Sequence, residues 1–214
     1  MATKAKKSYG QHFLVEPSIA ERIAASVKGS EGYQKLLEVG PGKGMLTQFL
    51  KELPYELYMV EADRDMIDYL KAHYPWSADR LMQANFLKVP LEKWMDGAAF
   101  GLVGNFPYNI SSQIVFRLIH YREYIPEMVG MFQKEMAERI VAEPGSKTYG
   151  VISVLSAAFY YREYLFSVGK NAFQPPPRVK SAVIRLVRKT DDPLGCDYEM
   201  LRKVVKQAFS QRRK

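Results

Sequence analysis

Two short segments carry residue types that could do chemistry: Glu38-Val39-Gly40-Pro41-Gly42-Lys43-Gly44 and Asn105-Phe106-Pro107-Tyr108. In the first, glycines permit positive φ and let backbone approach a ligand closely. Alone, that spacing fits an ordinary turn or a phosphate-binding loop as well as a cofactor site. It lacks the GxxxxGK[ST] pattern, because Met45 follows Gly44, and it lacks the third glycine of GxGxxG. Glu61 sharpens the reading. It stands about 20 residues on, where an acid ending the next strand can accept both hydroxyls of a ribose. A nicotinamide cofactor needs that acid too. Glu38 tips the balance, since a carboxylate there would repel a pyrophosphate but can hold the ammonium of a methionine moiety. The candidate cofactor residues on this side are Glu38, Gly40, Gly42, Gly44 and Glu61, with Lys43 a solvated neighbour.

The second segment could be no more than a turn, for which Asn and Pro are common residues. Placed at the end of a strand facing the glycines, each residue acquires a task. An adenine amino group is a poor nucleophile because its lone pair is delocalised into the ring. A side-chain amide oxygen from Asn105 and a main-chain carbonyl near Pro107 can accept its two N–H bonds and favour a pyramidal nitrogen. Alignment and electrostatics would then supply most of the rate, because a sulfonium donor is already activated. Tyr108 offers a ring on which an unstacked base can lie, and a face that favours a cation.

The elements that must position these residues are legible as an alternation. Pro17 to Val27 reads as a helix with Ile19, Ile23 and Ala24 on one face, and Lys35 to Val39 as a buried strand. A helix through Leu46 to Leu50 follows the glycines. Glu56 to Val60 is the second strand, and Asp63 can cap the helix after it. Arg80 to Ala84, Phe100 to Val103 and Glu127 to Phe132 read as further strands. A helix bearing Ile114, Val115 and Leu118 lies between the last two. Helices at Glu135 to Ala142 and Tyr149 to Ala158 precede two late strands, Tyr161 to Val168 and Ala182 to Val187. Such repetition predicts an α/β fold, a mostly parallel seven-stranded sheet covered on both faces. The late pair, with no full helix between them, predicts an antiparallel hairpin at its edge. A basic helix, Tyr198 to Phe209, follows.

The chain has 214 residues, 47% of them hydrophobic, enough for a buried core. Its net charge of +8 suits a polyanionic partner, or simply a basic enzyme. A single cysteine, Cys196, excludes an internal disulfide framework, and His12, His73 and His120 lack zinc-helix spacing. No apolar run reaches the roughly 20 residues that span a bilayer, and the start is polar and basic. A cytoplasmic protein without metal or membrane is the expectation.

With both loops in hand, the sequence resembles the KsgA family of ribosomal RNA adenine N6-dimethyltransferases. The shared segments are Gly10-Gln11-His12-Phe13-Leu14, Glu38 to Gly44, Glu61, Asn105 to Tyr108, Gln133-Lys134-Glu135 and Tyr149-Gly150. Phe173 to Ser181, with its Pro175-Pro176-Pro177, and Ala208 to Lys214 complete them. The resemblance implies a Rossmann-like methyltransferase fold using S-adenosylmethionine, with His12, Leu14, Gly40, Glu61 and Asn105 lining the cofactor site. It implies dimethylation of two adjacent adenines near the 3′ end of small-subunit (16S) rRNA during ribosome assembly, by a monomer acting on a pre-30S particle. Phe173 would form a second aromatic wall for the flipped base, or else a buried anchor for the proline loop. Two features depart from the family. Its third strand usually ends in Gly-Asp, the Asp meeting the cofactor's adenine; here Ala84-Asn85 stands there, so Asn85 becomes the expected site. Family members also continue into a small helical domain, so residues 1–190 are expected to form the catalytic domain and 191–214 a linker and the first helix of a truncated appendage. Competing readings are an erythromycin-resistance-type enzyme acting on large-subunit rRNA and an RNA-binding or transcription factor on the same scaffold.

Overall fold

The computed structural model describes residues 11–29, 32–190 and 194–211. Gly10, the segment 191–193 and the terminal Arg212-Arg213-Lys214 lie outside the described residues. The chain runs β1 (Phe13–Leu14), α1 (Pro17–Ala25), β2 (Lys35–Val39), α2 (Thr47–Leu50), β3 (Glu56–Glu61), α3 (Arg64–His73), β4 (Leu81–Gln83) and α4 (Leu91–Trp94). It continues through β5 (Phe100–Asn105), α5 (Ser111–His120), β6 (Glu127–Gln133), α6 (Lys134–Val141), α7 (Val151–Phe159), β7 (Tyr160–Val168), β8 (Phe173–Gln174), β9 (Ser181–Arg188) and α8 (Tyr198–Ser210).

Seven strands form one sheet in the order β4-β3-β2-β5-β6-β9-β7. The first five pair in parallel, whereas β9 pairs antiparallel with both β6 and β7. The near-continuous apolar runs of β2 and β5 follow from this arrangement, because a strand covered on both faces needs no polar alternation. Leu36, Leu37, Leu102 and Val103 are all buried. The expected edge hairpin is present, with β7 outermost.

Three local outcomes differ from the sequence reading. The third strand is shorter than Arg80 to Ala84, because a 3-10 helix begun by Pro75 runs through Arg80. The helix after the glycines is a single turn starting at Thr47. A separate two-stranded sheet joins β1 to β8, with Leu14 opposite Phe173. It draws the start of the described chain across to the proline loop, and Val15 N–H extends the contact by donating to the Ala172 carbonyl (2.8 Å). The basic helix α8 packs on α7, burying Val205 and setting Tyr198 against Phe159, while Met200 and Val204 stay exposed. No helix among the described residues is long and apolar enough to cross a membrane.

Candidate active site

Strands β2, β3 and β5 deliver their carboxyl ends to one edge of the sheet, where a parallel α/β sheet leaves a crevice for ligands. A cleft of about 290 Å³ opens there. Its walls come from the segment 11–14, residues 38–43 with Met45 and Leu46, the end of β3, the turn at Asn85 and the segment Asn105 to Ile110.

On one side, Glu61 closes β3 with only 6% of its surface exposed. Its carboxylate accepts backbone N–H bonds from Gly42 (3.1 Å), Ala62 (2.8 Å) and Asp63 (2.9 Å). Burial pushes its pKa up, and those three donors pull against the shift. Glu38 is deeper still, at 1% exposed, and accepts a single hydrogen bond from the Thr47 hydroxyl (2.7 Å). Burial, partly opposed by Thr47 and reinforced by Glu61, raises its pKa to about 8. Asp63 caps α3 as its position suggests, accepting from Asp65 N–H, and its second oxygen takes the Gln11 amide (3.0 Å).

On the other side, the loop after β5 is pinned by its own phenylalanine. Phe106 is buried against Phe132, their ring centroids 5.0 Å apart. Gly130 makes room for it, since a Cβ there would come within 2.1 Å of the Phe106 ring. The Asn105 amide donates through Nδ2 to the His12 carbonyl (3.0 Å), which leaves Oδ1 as its acceptor end. The Tyr108 ring stacks on His12, with centroids 5.3 Å apart and planes 28° from parallel. Its hydroxyl meets the Ser181 hydroxyl at 2.6 Å. Burial raises the Tyr108 pKa, with Ser181 acting in the opposite sense, so the phenol keeps its proton at neutral pH.

A family profile described as ribosomal RNA adenine dimethylase matches residues 2–214. The chain belongs to this family. Ribosomal RNA small subunit methyltransferase A of Flavobacterium johnsoniae is 50% identical over 211 residues, which cover 99% of this chain and 80% of that protein. Among solved structures, a dimethyladenosine transferase from Plasmodium falciparum is similar with a TM-score of 0.79 and 29% identity, over 95% of this chain and 72% of that one. The 23S rRNA methyltransferase ErmE reaches a TM-score of 0.74 at 26% identity, over 92% of this chain and 79% of its own.

Of the residues expected to form a dimethylase site, His12, Leu14, Glu38, Gly40, Gly42, Glu61, Asn85, Asn105, Pro107 and Tyr108 all line the cleft. Two of the expected residues, Gly44 and Phe173, are not on the cleft wall. Gly44 is not on the wall: a Cβ there would come within 2.5 Å of the Tyr74 ring, whose hydroxyl donates to the Gly44 carbonyl (3.0 Å), so this glycine serves close packing. Phe173 does not face the cleft either. It is 3% exposed and packs in the same core cluster as Leu14, its partner across β1 and β8. The carbonyl of Pro107 is also already used, accepting from Ile110 N–H and the Ser111 hydroxyl, both at 3.3 Å. One residue earlier, the Phe106 carbonyl accepts no hydrogen bond among the described residues.

Three further contributors were not among the expected site residues. Gln11 and Phe13 line the cleft, the latter with Lys43 over its ring at 5.2 Å. Arg117 on α5 grips the turn after Asn85 through the carbonyls of Leu87 and Val89. No local pattern marks such a residue, because its partners lie about one crossover away in the chain. Among the described residues, no group of three or more His, Cys, Asp or Glu is placed to hold a metal ion.

Proposed function

We propose that this chain transfers methyl groups from S-adenosylmethionine to N6 of adenine in small-subunit ribosomal RNA, dimethylating two adjacent adenines near its 3′ end within a pre-30S particle. The observation that carries the reading is the fixed orientation of Asn105. Its Nδ2 is occupied by the His12 carbonyl, so Oδ1 is the end left to accept an N–H from the target amino group. The Phe106 carbonyl supplies the second acceptor, in place of the occupied Pro107 carbonyl. Two acceptors on one amino nitrogen direct its lone pair out of the ring and toward the cofactor side of the cleft.

The residues present fit the cofactor. A Cβ added at Gly40, where φ is +69°, would meet only Pro107 Cδ at 3.9 Å, so the space between the two loops is open to a ligand. Glu61 offers a buried carboxylate to a ribose diol, and Leu14 and Phe13 offer apolar surface. S-adenosylmethionine would supply, when bound, a methyl carbon already activated by its sulfonium. Glu38 lies close enough to the glycines to line the cleft, and a positive charge beside it would favour its ionised form, so that it would lose its retained proton to solvent and face the cation as a carboxylate. Tyr108 acts through its ring and not as a base, since its phenol stays protonated.

Transfer of labelled methyl groups to unmethylated small subunits, to large subunits and to free RNA tests the proposal. Label in dimethyladenine of the small subunit is expected. Label confined to large subunits would instead support the erythromycin-resistance-type reading, which the likeness to ErmE keeps in view. No transfer to any of them would refute both.

A further inference from the structure

Ser181 is the first residue of β9 and is completely buried, pairing with Gln133 of β6 and Val168 of β7. A buried hydroxyl at a strand start costs free energy unless it is hydrogen-bonded. Here it meets the Tyr108 hydroxyl at 2.6 Å, a bond reaching across β6 from the loop that follows β5. The same tyrosine has one ring face covered by His12, whose Nδ1 in turn lies 2.8 Å from the Pro175 carbonyl. Tyr108 is therefore held at two points, one in the plane of its ring and one against its face. An aromatic platform for a base gains from such restraint, because a ring free to rotate about χ1 and χ2 must be ordered when the base arrives.

We infer that Ser181 is a positioning residue for methyl transfer, fixing the plane of the Tyr108 ring so that its second face is presented to the target adenine. The inference rests on the proposed function and deepens it. Ser181 is not among the residues that line the cleft; it acts through Tyr108. The segment that supplies it, β9, is the antiparallel strand inserted beside β6, so the edge hairpin contributes to the site as well as to the sheet.

Two variants remove this one bond from opposite ends. Ser181→Ala and Tyr108→Phe should each slow single-turnover methylation of unmethylated small subunits by about three- to tenfold, the size expected for one hydrogen bond. Affinity of Ser181→Ala for S-adenosylhomocysteine should stay at the wild-type value. The deciding measurement is the double variant. If both substitutions delete the same interaction, Ser181→Ala/Tyr108→Phe should be no slower than the worse single variant. Thermal unfolding of all three checks that each is folded at the assay temperature. If Ser181→Ala alone fails to fold, a wild-type rate for Tyr108→Phe overturns the inference and a slowed one supports it. Losses that multiply in the double variant would mean that Ser181 acts elsewhere, and a Ser181→Ala rate equal to wild type would overturn the role directly. A wild-type chain inert on small subunits would instead refute the proposed function and this inference with it.

Discussion

The two sides of the cleft are held by different means. On the cofactor side, Glu61 is fixed by backbone N–H groups of Ala62 and Asp63 beside it and of Gly42, 19 residues away. On the substrate side, Asn105 depends on His12, 93 residues away, and Tyr108 on Ser181, 73 residues away. Backbone donors of a strand end and its following turn are set once the sheet forms. The substrate side, by contrast, is complete only when the segment before α1 and the hairpin strand β9 have both closed over it. Cofactor binding and methyl transfer should therefore be separable by mutation, with transfer the more fragile property.

The largest expected effect follows from that fragility. Tyr108→Ala should lower methyl transfer on the order of 100-fold, the scale associated with misplacing a reacting group by about 1 Å. Binding of S-adenosylhomocysteine, followed by calorimetry, should weaken far less. Because Tyr108 lines the cleft beside the cofactor's expected place, parallel losses in both measurements would erase the proposed separation of the two sides.

Glu61→Ala probes the opposite wall and should weaken cofactor binding by about 1–3 kcal/mol, the cost of losing hydrogen bonds to a charged group. The same calorimetric titration reads it. The transfer rate at saturating cofactor should fall much less than for Tyr108→Ala. Unchanged affinity would mean that the ribose is held elsewhere and that Glu61 only ties the loop at Gly42 to the end of β3.

This division also explains what the sequence disclosed. The glycine loop, Glu61 and the Asn-Phe-Pro-Tyr segment are local patterns at strand ends, and the strand-helix alternation located those ends to within a few residues. Asp63 was recognisable as a helix cap for the same reason, since its partner is two residues away. The contacts of Ser181 and Arg117 were not legible, even with Ser181 in a shared segment, because a single serine or arginine acquires its meaning from a partner that only the folded topology brings near. Phe173 was ambiguous in another way: an aromatic residue before a proline loop fits a stacking wall and a core anchor equally, and in the fold it is buried opposite Leu14. Gly44 was ambiguous because a glycine that admits a ligand and one that admits a neighbouring ring leave the same letter in the sequence.

Within the cofactor side, Glu38 and Glu61 make a sharper contrast. Both are buried, but Glu61 has three backbone donors and Glu38 has one hydroxyl. Glu38 ionises near 4.5 in an unfolded chain and holds its proton to about 8 in the fold. Across that window the native state binds more protons than the unfolded one, so its contribution to stability declines as pH rises. Glu61, also shifted upward, adds to the decline. Glu38→Gln keeps the shape and cannot titrate, so it should flatten the fall in urea stability between about pH 5 and about pH 8. A slope identical to wild type would show that Glu38 is ionised in the native protein throughout.

The smallest effect concerns Asn85, at the rim between the two sides. Its Oδ1 accepts from Leu87 N–H (2.9 Å), capping the short turn that Arg117 grips from behind. The side chain's Nδ2, a donor, is the end left without a bond to the turn, while Oδ1 is directed at the Leu87 N–H. An adenine amino group is itself a donor and is better met by an oxygen. Asn85→Asp would keep one oxygen on Leu87 N–H and offer the other as an acceptor, and an acid is also favoured at the start of a helical turn. The residue is exposed, so a new bond there competes with water and should add no more than about 1 kcal/mol to cofactor affinity. Calorimetry with S-adenosylhomocysteine should find Asn85→Asp binding at least as tightly as wild type. Markedly weaker binding would mean that the Nδ2 donor is itself in use, bonded to an acceptor on the adenine ring, and that this chain holds the base edge differently from relatives with Asp at that position.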